Sequence, residues 1–150
     1  MTALTATPAN ISASEERGAM LKVFVAAAAV NIGDVVYLDS NNKINKAIAD
    51  SAAHARAIGI VVTAQNFYGE TSIPIGGSVI VCVYGPCWGW GASNSTLMIS
   101  GLPVWVDKTT AGKLNDTAPT GGAYQYQVGR MLGNDTIFVD PGTVSPSSAA

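Results

Sequence analysis

The chain has 150 residues, of which 48% are hydrophobic and only 12% charged, with a formal net charge of −2. That length suits one domain with an apolar core of its own, and a charged fraction about half the usual quarter implies that part of the surface is covered by something else. Eight Lys and Arg residues, scattered singly, make no basic patch and exclude nucleic acid as the main ligand, while the longest apolar run, Val23 to Val30, is too short to span a membrane.

Residues 1–18 are rich in Ala, Thr, Ser and short polar residues, with only two large aliphatic side chains, Leu4 and Ile11. They read as an extended arm, which either frays or orders as a strap on a neighbouring subunit through those two side chains. The arm lacks the basic start and apolar run of a secretory signal, so a soluble product made in the cytoplasm is expected. From there to residue 140 the composition is that of short strands. Leu21–Val25, Val35–Leu38, Ile58–Val62, Ser78–Tyr84, Val104–Val106 and Thr136–Val139 are β-branched or aromatic and bounded by Gly, Pro, Asn or Asp. No stretch sustains the apolar spacing of a core helix. Residues 141–150, Pro-Gly and then TVSPSSAA, read as a flexible tail.

An internal repeat, about 31–62 and 99–132, carries most of the information. Gly33-Asp34-Val35-Val36-Tyr37-Leu38-Asp39 aligns without a gap on Gly101-Leu102-Pro103-Val104-Trp105-Val106-Asp107. Lys43-Ile44-Asn45 then matches Lys113-Leu114-Asn115, and Ile58-Gly59 matches Val128-Gly129. In each copy Gly33 or Gly101 turns the chain into a strand, and Asp39 or Asp107 closes that strand in a turn. A second short strand follows at Lys43 or Lys113, and a third at Gly59 or Gly129, where glycine permits a bulge or close backbone approach. The second copy carries Pro119 and Gly121-Gly122 where the first has the Ala-rich run 47–57. That run is therefore expected to be loop, or at most one helical turn. The first copy also carries an insertion, Thr63 to Gly77, before its last strand. The expected fold is all-β: a small barrel built from two related strand-hairpin units with an extended N-terminal arm.

Chemistry-bearing patterns are sparse. His54 is the only histidine, and no nucleophile elbow, phosphate-binding loop or paired carboxylate stands near it. No catalytic residue, metal site or cofactor is expected. Cys82 and Cys87 flank Gly85-Pro86 without a second ligand pair, so two free, partly buried thiols are expected, although the turn leaves a disulfide geometrically open. The segment Tyr84 to Gly91 concentrates Trp88 and Trp90 between glycines. Three readings stand for it: an indole that plugs the barrel end, a protein-contact patch, or a carbohydrate-stacking platform.

Gly33-Asp34-Val35-Val36-Tyr37, Ala57-Ile58-Gly59-Ile60-Val61 and the strand Ser78 to Gly85 resemble the G-D-x-V-Y, A-I-G-I-V and V-x-V-x-G patterns of the capsid cement, or decoration, proteins of tailed bacteriophages. The resemblance covers about residues 20 to 140, and the Thr63 to Gly77 insertion and the Trp88-Gly89-Trp90 segment depart from it. It implies a β-tulip barrel that forms homotrimers on the outer capsid surface of the virion and cements neighbouring major capsid proteins against internal DNA pressure. In that setting Leu4, Ile11, Trp88 and Trp90 are the expected capsid or subunit contacts, with no nucleic acid and no membrane as partner. The alternative is a carbohydrate- or receptor-binding virion module that uses Trp88 and Trp90. A small β-barrel enzyme is a third reading, for which the sequence offers no nucleophile–base pair.

Overall fold

The computed structural model describes residues 3–8, 11–62, 71–94, 97–142 and 145–146. Most of the Thr63 to Gly77 insertion and most of the C-terminal tail lie outside the described residues. Thirteen strands are present among the described residues: β1 (Met20–Ala26), β2 (Val30–Asn31), β3 (Val35–Leu38), β4 (Lys43–Lys46), β5 (Gly59–Val61), β6 (Ser72–Ile73), β7 (Ser78–Cys87), β8 (Pro103–Val106), β9 (Leu114–Asn115), β10 (Tyr124–Gln125), β11 (Gln127–Leu132), β12 (Thr136–Val139) and β13 (Ser145–Pro146). The helical elements are short: a 3-10 turn at Glu15–Arg17, α1 (Ala52–Ala55) and α2 (Gly91–Asn94). The fold is all-β, as the strand composition predicts.

Nine strands form one sheet in the order β1-β4-β3-β5-β7-β12-β11-β8-β9, and β1 also pairs with β7. That extra pairing closes β1, β4, β3, β5 and β7 into a five-stranded ring, which leaves none of those strands with a free edge to template aggregation. The second half of the sheet, β12-β11-β8-β9, continues from the far end of β7. Strand β7 therefore serves both halves. Its first part pairs with β1 and β5, while Gly85, Pro86 and Cys87 pair with Val139, Phe138 and Ile137 of β12. The switch occurs at Gly85, which has φ +103° and sits against the backbone of Gly18 and Ala19, where any Cβ would collide.

The sequence repeat is a repeat of register. Val36 faces Gly59 as Val104 faces Gly129, Tyr37 faces Asn45 as Trp105 faces Asn115, and Leu38 faces Ile44 as Val106 faces Leu114. In the two copies Gly33 and Gly101 have φ +93° and +90°. Gly59 and Gly129 are glycines for one steric reason. A Cβ on Gly59 would run into the carbonyl oxygen of Cys82, and one on Gly129 into that of Phe138. The neighbouring strand thus approaches the third strand of each unit at a distance that only hydrogen permits.

The aspartates that close the repeated strands act as clasps. Asp39 accepts from the backbone N–H of Asn41 (2.8 Å) and Lys43 (3.0 Å) and from the Asn45 amide (3.1 Å). Asp107 accepts from the N–H of Thr109 (3.2 Å) and Thr110 (2.8 Å) and from the Asn115 amide (2.9 Å). The Asp-to-Asn spacing of the repeat is therefore a side-chain hydrogen bond across each hairpin, which satisfies turn N–H groups that would otherwise lack partners.

The Ala-rich segment joins the two units. Ala47, Ala49, Ala55 and Ala57 are each 1% exposed or less, so alanine is used there for its size rather than for its helix propensity. Ala49 N–H donates to the Asp107 carbonyl (2.9 Å) and its own carbonyl accepts from Tyr124 (3.1 Å), while Gly112 N–H donates to Ala47 (2.8 Å). Only the single turn α1 is helical, capped by the Ser51 hydroxyl on the His54 N–H. Toward the C-terminus, four residues of the expected tail are described. Gly142 N–H donates to Gln127 (2.9 Å), and Ser145 and Pro146 pair with Gln125 and Tyr124. Polar backbone on the β10 edge holds them there.

Candidate functional site

The sequence singles out Leu4, Ile11, Trp88, Trp90 and Gly33 from three distant parts of the chain, and the fold brings all five to one place. That place is the seat of the N-terminal segment. Ala3 bridges Asn115 on the outer edge of β9, and Leu4 N–H donates to the Leu114 carbonyl at 2.8 Å. Ser12 bridges Trp88 through two backbone bonds of 2.9 and 3.0 Å. The segment thus adds strand-like backbone at two points, one on the second unit and one just beyond the end of β7. It takes the free edge of β9, which in the first unit has a counterpart, β4, already covered by β1.

Leu4 and Ile11 lie inside this arrangement, 2% and 0% exposed. In the single chain both are buried in the core of their own chain. The physical reason is that β9 of the second unit has a free edge, where Leu4 docks, while Ile11 packs beside Gly33 of the first unit. Burying each is worth about 1.5–3 kcal/mol relative to exposure. Gly33 is part of the same packing, because a Cβ on it would press on Ala6 and Ile11. Its second role, beyond the positive φ, was not legible in the repeat.

Asn94 is the residue that sequence reasoning missed. It is 2% exposed, and its side-chain oxygen accepts from Thr5 N–H at 2.8 Å while its amide nitrogen donates to the Thr5 carbonyl at 2.7 Å and to the Trp90 carbonyl at 2.7 Å. A side-chain amide offers one acceptor and two donors, so Asn94 imitates a neighbouring strand and grips the Thr5 backbone at both polar groups. In the sequence Asn94 stands only within the polar stretch 92–96, with nothing to mark it out.

Trp90 and Trp88 have different surroundings. Trp90 is 2% exposed, with its backbone N–H on Asp135 (3.0 Å) and its indole N–H beside the Cys87 sulfur without an ordinary hydrogen bond. Its ring fills the core and presents no face to another molecule. Trp88 is half-buried, and the Arg17 guanidinium lies 4.5 Å from its ring centroid, a cation–π contact. Asp135 holds this segment from outside through the N–H groups of Gly89 (3.1 Å) and Gly91 (2.9 Å).

The titratable groups here serve structure. Burial pushes the Cys87 thiol far above its ordinary range and Cys82 up to about 11; both are free and buried, which leaves them as inert thiols. Burial also raises the Asp34 carboxyl, an effect only partly opposed by the Asn31 N–H and by Lys46 at 3.6 Å. The Lys43 N–H leads the causes that lower Asp39. At Asp107 burial works upward, but the Asn115, Thr110 and Thr109 bonds together outweigh it and the carboxyl is lowered. His54 is partly exposed, 2.8 Å from Asp50, with its ring tilted against Tyr37 at 5.2 Å between ring centroids. Among the described residues no three His, Cys, Asp or Glu side chains converge on a common point, and no helix is long and apolar enough to cross a membrane.

A further feature of the surface is apolar. Along β1, Met20, Val23 and Val25 are 52%, 67% and 43% exposed, and Tyr84 of β7, paired with Met20, is 43% exposed. Ile75, 72% exposed, lies in the turn that hydrogen-bonds to the end of β1. Exposed apolar residues are individually ordinary on a surface; Val23 and Val25, two residues apart, share one face of β1, whereas Met20 lies an odd number of residues from both. No family model matches this sequence, and no curated protein is significantly similar to it.

Proposed function

We propose that this chain is a structural virion protein that assembles as a homotrimer on the outer surface of an expanded phage capsid and cements neighbouring major capsid proteins. The observation that carries the reading is the exposure of large apolar side chains on and beside β1: Met20, Val23, Val25, Ile75 and Tyr84. It agrees with the low charge of the sequence and with the cement-protein pattern in residues 33–37 and 57–61. A surface that spends its working life against other copies or a capsid floor needs little charge to stay soluble. Carbohydrate binding through Trp88 and Trp90 loses support because Trp90 lies in the core.

Light scattering of the purified chain together with binding to expanded capsids tests the reading. A trimer that binds such capsids and raises their resistance to heat is the expected result. Val23→Lys, at the most exposed large apolar position of β1, should weaken assembly or attachment and leave folding within about 0.5 kcal/mol of the parent. A monomer that never attaches to expanded capsids would overturn the proposal.

A further inference from the structure

We draw no further inference here: the strongest candidate, the outward face of β7, β12, β11 and β8, where Pro86, Phe138, Arg130 and Pro103 form one cross-strand row, is a largely apolar sheet face, and nothing in the structure shows what covers it.

Discussion

Replacing Asn94 by Ala removes three hydrogen bonds of 2.7–2.8 Å from a side chain that is 2% exposed. At about 1 kcal/mol net for each bond the loss is roughly 3 kcal/mol. Thr5 itself is exposed, so water can reach part of what is orphaned, and about 2–3 kcal/mol is the expected cost. For a domain of this size that lowers Tm by roughly 4–12 °C. Asn94→Asp is the sharper variant. Its carboxylate keeps the acceptor for the Thr5 N–H but turns lone pairs toward the carbonyls of Thr5 and Trp90. Asp should therefore be worse than Ala at pH 7 and should recover in part in acid, where a protonated carboxyl donates again. The assay is thermal unfolding across pH, joined to hydrogen exchange of the Leu4 amide, which is bonded to Leu114 in the intact seat. An Asp variant as stable as the parent at pH 7, with Leu4 equally protected, would refute the reasoning that Asn94 holds the segment by its backbone.

Other expectations follow from the same structure. Leu4→Ala and Ile11→Ala should each cost about 2–5 kcal/mol in chemical denaturation, as truncations of buried side chains do; near-neutral results would mean that the segment is not part of the core. Gly59→Ala and Gly129→Ala should be destabilising to a similar degree, roughly 1–3 kcal/mol or more, because each Cβ meets the carbonyl of an adjacent strand. Markedly unequal costs would show that the two copies are not mechanically equivalent. Asp34 has a raised carboxyl, so the native state holds its proton more tightly; its contribution is full below the unfolded value of 3.8 and declines as pH rises through the raised value. Asp107 is lowered, so its contribution is present above 3.8 and is lost as pH falls through its native value. Stability measured against pH in Asp34→Asn and Asp107→Asn should lose those two opposite slopes separately. Cys82 and Cys87 should resist iodoacetamide at pH 8 in the native protein and react only on unfolding, which mass spectrometry reads directly.

The strand composition and the repeat carried the architecture a long way. β3 and β12 begin and end at the residues that β-branched composition marks, and the alignment of Gly33–Asn45 with Gly101–Asn115 is the register of two hairpins. These features are local: a glycine with positive φ, an Asp that bonds turn N–H groups, and an Asn one hairpin rung away all act within a dozen residues, so spacing alone reveals them. The closure of the first unit was not legible. It depends on β1 meeting β4 in parallel and β7 in antiparallel fashion, contacts between residues far apart in sequence.

The same division holds for the site. Leu4, Ile11, Trp88 and Trp90 stand out by composition, as large side chains in small-residue surroundings, and that much the amino-acid order determined. Their destinations were decided by tertiary structure. β9 of the second unit has a free edge, and an unpaired edge is satisfied by whatever backbone groups can reach it. The N-terminal segment reaches it, Asn94 and Gly33 fit around it, and Trp90 is enclosed behind it. Such complementarity exists only between surfaces, once the chain has folded, and no single stretch of sequence encodes it.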